Sequence, residues 1–275
     1  MTGRPIPFGR LALIGFGEAG STFAAAAGWE ADARGHDLRE DRRAAMAAEG
    51  VTPCASAAEA LAGAPIVLCL VTADQALAAA EDYAAHLAPG ALWCDMNSVA
   101  PDTKRAAARA VEAAGGRYVD VAVLAPVNPA RLAVPLLLAG PAADDARDAL
   151  EGLGFTSCRV VGDEVGRASA IKMIRSVMVK GIEALTAEMM LAADAAGVTD
   201  EVLASLDASE KAQGWAARAA YNLERMATHG ERRAAEMEES AKTLASLGVD
   251  PVMTAGTVRR QRAMAGKIMD RSKAA

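Results

Sequence analysis

Apolar and polar residues alternate in blocks over the first 163 positions. Short apolar runs at 11–15, 66–71, 91–96, 118–123, 134–138 and 156–161 have the length of strands. Helical spacing lies between several of them. Examples are 74–87, stopped by Pro89-Gly90, and 101–114, stopped by Gly115-Gly116. A strand at 33–38 is expected on topology alone. ADARGHDLR (31–39) offers little to bury, yet a wound sheet needs a strand before the helical stretch 42–48. Alternating β and α predicts an α/β fold with a mainly parallel, doubly wound sheet. Continuous apolar runs such as PIVLCLV fit strands covered on both faces.

After Gly162 the strand pattern stops. Positions 165–196 read as one helix, about 45 Å long at 1.5 Å per residue. Gly197 stands where a C-cap is expected. Further helical stretches are 201–208, 211–228, 231–247 and 251 to about 271. In 231–247, Ala234, Met237, Ala241 and Leu244 form one apolar stripe. Glu236, Glu238 and Glu239 beside it read as a solvated face. The expected organisation is a Rossmann-type dinucleotide-binding domain at 1–163 and an all-helical substrate and dimerisation domain at 164–275, which begins with a long interdomain helix.

Composition narrows the function classes. A chain of 275 residues can bury one large or two medium cores. The net charge of −6 provides no basic field for nucleic acid. Cys54, Cys69, Cys94 and Cys158 are scattered without a C-x-x-C pair, as expected of buried free thiols in a reducing compartment. Three histidines argue against a zinc site, so no metal is expected. No long apolar run suggests a signal peptide or a membrane span, and the expected location is the cytoplasm. Trp29, Trp93 and Trp215 read as core or interface residues.

The first chemistry lies in LALIGFGEAGSTF, 11–23. An apolar run meets Gly15, Gly17 and Gly20 in G-x-G-x-x-G spacing, and a small-residue helix follows. That context is the dinucleotide fingerprint: a tight turn, close approach of backbone to a pyrophosphate, and close helix–strand packing. Gly15, Phe16, Gly17, Glu18, Ala19 and Gly20 are the expected cradle, with helix-start N–H groups facing the phosphates. Asp37 lies 20 residues after Gly17, where an acid binds the ribose hydroxyls of NAD. Arg34, Arg39, Arg42 and Arg43 surround it, and an arginine such as Arg39 suits the 2′-phosphate of NADP. The balance leans to NAD, with NADP kept open.

The second chemistry is GDEVGRASAIKMIRS, 162–176. Lys172 sits about two turns into a long helix. The positive end of the helix dipole, Arg175 at i+3 and partial burial would each push its pKa down. A lysine lowered toward neutrality exchanges protons with a substrate oxygen. Spacing alone leaves a solvated surface lysine equally open.

In combination, IGFGEAGS (14–21), LCLVTADQAL (68–77), DMNSVAPDTKR (95–105), AIKMIRSVMVKGIEAL (170–185) and RAAEMEESAKTL (233–244) resemble the β-hydroxyacid dehydrogenase superfamily, the group of 6-phosphogluconate and 3-hydroxyisobutyrate dehydrogenases. More narrowly they resemble its branch with a DUF1932-type C-terminal domain. The resemblance implies that Val71, Thr72 and Asn97 line the nicotinamide side and that Lys172 is the catalytic acid/base. Two departures stand out. Leu124, Ala125 and Pro126 replace the family's Ser-Gly-Gly in DVAVLAPVNPAR (120–131), and Ser176 replaces an asparagine four residues after the lysine. Asn128, Arg131, Arg175 and Ser176 remain to orient an acidic substrate. His229, beside Gly230, reads first as a helix C-cap; it or Arg232 could reach a substrate.

The expected activity is hydride transfer between NAD(P) and the carbinol carbon of a small hydroxy acid or related alcohol. Imine reduction on the same fold, and a dinucleotide sensor without turnover, are the alternatives; neither needs Lys172. Expected partners are a small-molecule substrate and a second copy of the chain, with no nucleic acid and no membrane.

Overall fold

The structure is a computed structural model that describes residues 9–29, 32–209, 214–246 and 250–267. The chain forms two compact units, Met1–Lys172 and Met173–Ala275.

The first unit is built on one eight-stranded sheet. Its strands and helices alternate: β1 (Leu11–Ile14), α1 (Glu18–Ala27), β2 (Ala33–His36), α2 (Glu40–Ala48), β3 (Thr52–Pro53), α3 (Ala57–Leu61), β4 (Ile66–Cys69), α4 (Ala76–Tyr83), β5 (Leu92–Asp95), α5 (Pro101–Ala113), β6 (Arg117–Val123), β7 (Leu136–Ala139), α6 (Ala143–Gly152) and β8 (Cys158–Gly162). The spatial order is β3-β2-β1-β4-β5-β6-β7-β8. All neighbours are parallel except β6 and β7, which are antiparallel. This is the expected doubly wound α/β sheet.

Period-2 geometry sends alternate residues to opposite faces. Leu11, Leu13, Leu68 and Val119 join Phe23, Trp29, Leu150 and Phe155 in one core. Ala12, Ile14, Val67, Trp93 and Tyr118 join residues of α3, α4 and α5 in the other. Each large apolar side chain so buried contributes about 1.5–3 kcal/mol. β2 forms despite its polar ARGH sequence because β1 and β3 pair with both of its edges. The sequence did not announce β3, which is two residues long and exposed.

The second unit is helical: α7 (Arg167–Ala196) enters it, followed by α8 (Thr199–Ser209), α9 (Trp215–Ser246) and α10 (Val252–Met264). Three expectations change. The stretches 211–228 and 231–247 are one helix over their described residues, because Gly230 lies inside α9 and packs on α10. A Cβ at Gly230 would sit 2.4 Å from the Gln261 carbonyl oxygen. The glycine permits a close crossing there and does not stop the helix, so His229 is a mid-helix residue and caps nothing. The last helix ends at Met264, and positions 268–271 lie outside the described residues.

The acidic run also differs from expectation. Glu236 and Glu239 are buried. Lys180 of α7 pairs with Glu236 at 2.7 Å, and Arg262 of α10 pairs with Glu238 at 2.7 Å. Deeper in the same unit Arg233 and Gln261 both donate to Glu183.

Trp29 and Trp93 are core residues, and Trp29 Nε1 donates to the Leu153 carbonyl at 3.0 Å. The Trp215 and Leu244 side chains lie outside the described residues. Cys54, Cys69 and Cys94 are buried free thiols, whereas Cys158, in the edge strand β8, is only partly buried. Among the described residues no helix is long and apolar enough to cross a membrane.

Candidate dinucleotide and lysine site

Parallel pairing lines up the carboxyl ends of the central strands. Ile14 is in register with Cys69, Cys69 with Asp95, and Asp95 with Asp120. The loops that leave this edge carry the candidate residues.

The glycine turn leaves β1. Gly15 has φ +91°, and a Cβ there would lie 2.6 Å from the Leu70 carbonyl oxygen. Only glycine fits the turn. At Gly20 a Cβ would be 3.0 Å from the Gly15 oxygen, so that glycine seats α1 against the turn. Nothing lies within 4 Å of a Cβ at Gly17, the N-cap of α1, and no side chain caps that helix start. The start of α1 is therefore uncapped and uncrowded at Gly17, and an uncapped helix start offers its first-turn amides to a phosphate. Phe16 is fully buried under the turn, Ala19 is half-buried and Glu18 is exposed.

Asp37, just past β2, is tied into this turn. Its carboxylate accepts from Phe16 N at 2.7 Å and from Arg39 N at 2.9 Å. The arginines beside it have partners of their own. Arg39 is paired with Asp41 at 2.7 Å, and Arg43 donates to the carbonyls of Asp37 and Leu38.

Asn97 and Ser98 lie in the loop between β5 and α5. Asn97 is buried; its N–H donates to Asp95 Oδ1 and its Nδ2 to Cys69 Sγ at 3.3 Å. Its Oδ1 is buried without a hydrogen-bond partner among the described residues. Such an atom costs about 1–3 kcal/mol unless a ligand satisfies it. Lys172, half-buried in the second turn of α7, donates from Nζ to Ser98 Oγ. The lysine thus stands beside the asparagine loop at the carboxyl edge of the sheet. Val71 and Thr72 leave β4 at the same edge, Val71 half-buried and Thr72 exposed.

Beneath this loop is a group of buried charges. Lys104 of α5 is fully buried. Its Nζ donates to the Asp95 carbonyl at 2.6 Å and to Asp95 Oδ1 at 2.9 Å, and lies 3.5 Å from Asp120 Oδ1. Tyr118 OH donates to Asp95 Oδ2 at 2.6 Å. Burial, with Asp95 alongside, holds the Tyr118 hydroxyl well above its usual value, so it stays a donor. Asp120 Oδ2 accepts from Gly166 N at 3.1 Å and Ser169 N at 2.9 Å, at the start of α7. This alters one step of the lysine argument: Asp120 offsets the positive end of the α7 dipole that was expected to act on Lys172.

Residues 10–162 match the family described as the NAD binding domain of 6-phosphogluconate dehydrogenase, over more than half of the chain. The chain belongs to this family. Residues 193–264 match the domain of unknown function DUF1932. A conserved hypothetical protein from Sinorhizobium meliloti 1021 is 38% identical, with 93% of this chain and 88% of that one covered and a TM-score of 0.72. Two more distant structures share the fold. A 3-hydroxyisobutyrate dehydrogenase from Mycobacterium tuberculosis is 20% identical, covers 96% of this chain and 97% of its own, and has a TM-score of 0.74. An imine reductase from Streptomyces aurantiacus is 23% identical, covers 92% and 93%, and has a TM-score of 0.55.

As a 6-phosphogluconate dehydrogenase-type domain, the first unit binds NAD or NADP. The residues fit such a group: open amides at Gly17, a fixed carboxylate at Asp37 and an orphaned acceptor at Asn97. Of the remaining candidates, Asn128 lies beside the family's glycine turn, donating from Nδ2 to Thr22 Oγ1 of α1 at 3.3 Å. Arg131 is exposed, with φ +51°. Arg175 is exposed and Ser176 buried on α7, and His229 is half-buried in α9; all three belong to the second unit.

Sequence reasoning missed Ser98, Asp95, Lys104, Tyr118 and Asp120. A signal did exist for two of them: Asp95 and Asp120 stand inside otherwise apolar strands, LWCD and RYVDVAV, where a charge requires a buried partner. Lys104 gave none, because it sits among Asp102, Thr103 and Arg105 in what reads as a solvated helix.

Proposed function

We propose that this protein is an NAD(P)-dependent oxidoreductase that moves hydride between the nicotinamide and the carbinol carbon of a small hydroxy acid or related alcohol. Lys172 is its general acid/base. The observation that carries this reading is the contact of Lys172 Nζ with Ser98, next to the unsatisfied Asn97 oxygen. A dinucleotide sensor needs the glycine turn but has no use for a lysine held at the end of β5.

The bound cofactor supplies the hydride donor or acceptor. The chain supplies binding, orientation and a proton. Gly17 and the first amides of α1 would hold the pyrophosphate. Asn97 Oδ1, buried without a partner among the described residues, would accept a hydrogen bond from the nicotinamide side. During oxidation Lys172 takes the substrate hydroxyl proton; during reduction it returns the proton to the carbonyl oxygen. Ser98 Oγ keeps the lysine nitrogen aimed at that oxygen in both directions. NAD is the favoured cofactor. The Asp37 carboxylate suits a ribose diol and repels a 2′-phosphate, and Arg39 and Arg43 are already engaged.

The test is a screen of hydroxy acids, other alcohols and imines with NAD(H) and NADP(H) separately, on wild type and Lys172→Ala. The expected result is turnover of an alcohol substrate, with kcat reduced about 10²- to 10⁴-fold in Lys172→Ala and cofactor affinity unchanged. Wild-type turnover of imines alone, or full activity in Lys172→Ala, would overturn the proposal.

A further inference from the structure

We propose that Lys104, clamped between Asp95 and Asp120, is a positioning residue that fixes Lys172 against the Asn97–Ser98 loop. This rests on the reading of Lys172 as the acid/base.

The interactions form a closed ring within the first unit. Lys172 Nζ meets Ser98 Oγ. One residue back, Asn97 N donates to Asp95 Oδ1 at 2.9 Å. Asp95 accepts from Lys104, whose Nζ also faces Asp120 at 3.5 Å. Asp120 accepts from Ser169 N at 2.9 Å, and Ser169 is three residues before Lys172 on α7. One side of the ring holds the loop that carries Asn97 and Ser98; the other holds the first turn of the helix that carries Lys172. Lys104 is the link between the two.

Stability alone does not account for this group. Lys104, Asp95 and Asp120 are each 0% exposed. Apolar residues of similar volume generally match or exceed a buried ion group in net stability, because desolvation cancels the attraction. What charges add is fixed direction, and hydride transfer is sensitive to displacements of about 1 Å. The ring reaches both partners of the Lys172–Ser98 contact from beneath while leaving the open side of the site to cofactor and substrate.

The experiment compares wild type, Asp120→Asn and Lys104→Met. Asp120→Asn keeps shape and one carbonyl acceptor, so it decides the matter if Lys104→Met does not fold. Three measurements are made: NAD(H) affinity by fluorescence titration, kcat and KM with the best alcohol substrate, and the rate of Lys172 acylation by acetic anhydride without substrate. Folding is checked by near-UV circular dichroism. The expected result for folded Asp120→Asn is cofactor affinity within about two-fold of wild type, kcat lowered about 10- to 100-fold with KM little changed, and Lys172 acylated about ten-fold faster. Unchanged kcat and unchanged acylation in the folded variant would overturn the proposal. The acylation arm needs no substrate, so it judges the ring even if no alcohol is turned over, an outcome that would sink the catalytic reading and not the positioning one.

Discussion

Cys69 and Cys94 lie fully buried in β4 and β5, and loss of hydration pushes each thiol up to about 12 from the ordinary 9.0. Asp95 adds to the rise at both. A thiol raised on folding holds its proton where the unfolded chain has lost it. Its contribution is therefore complete below 9.0 and is lost as the pH climbs toward about 12. Each thiol costs up to about 1.4 kcal/mol per pH unit in that window. Lys180 acts in the other direction: burial lowers it against the pull of Glu236, so this lysine favours the folded state more as pH approaches 10.5. Burial also raises Cys54 and Cys158, so four thiols against one lysine predict a net fall in the urea midpoint from about pH 9 upward. In Cys94→Ala the fall should be shallower; an equal slope would contradict the assignment. At this scale the glycine turn was readable because local spacing defines it, whereas Lys172 stood out from an ordinary surface lysine only through the family resemblance. Lys104 was not readable, because only its partners on β5 and β6 explain it; Asp120 signalled a buried partner without saying which.

Gly230 and Gly256 form a matched pair of helical glycines on α9 and α10. A Cβ at Gly230 would meet the Gln261 carbonyl oxygen at 2.4 Å and Ala265 Cβ at 2.9 Å, whereas nothing lies within 4 Å of one at Gly256. Gly256→Ala should stabilise the protein by about 0.5–1 kcal/mol through helix propensity. Gly230→Ala should destabilise it by about 1–3 kcal/mol, since the blocking atom is backbone and α10 must move. Thermal melts of both variants test this, and a Gly230→Ala protein as stable as Gly256→Ala would refute the crossing. The doubly wound class of the sheet and most of its strands were legible because strands buried on both faces read as apolar runs. The single helix α9 was not. His229-Gly230 looks like a helix end until its packing partner, on another element, is known. The polar strand β2 was placed by topology, and the two-residue β3 carried no pattern at all.

At the scale of the molecule, the exposed large apolar side chains among the described residues concentrate on α7. Ile171, Ile174, Met178 and Ile182 recur at three- and four-residue spacing and are exposed, Met178 by 67%. We propose that a second copy of the chain covers this stripe in a two-fold dimer, since a self-complementary helix face is the simplest isologous interface. Light scattering at micromolar concentration should give twice the chain mass, and Met178→Glu should give the monomer mass. A monomeric wild type would exclude the dimer. The ring under Lys172 has a different consequence, one of timing. A nascent chain made only as far as Gly162 already has every strand of the sheet, yet Asp120 still lacks the amides of Gly166 and Ser169. At about 5–20 residues per second, those donors emerge within seconds of the last strand. Until then Asp120 faces Lys104 alone, and the first turn of α7 supplies the two amides that complete its shell.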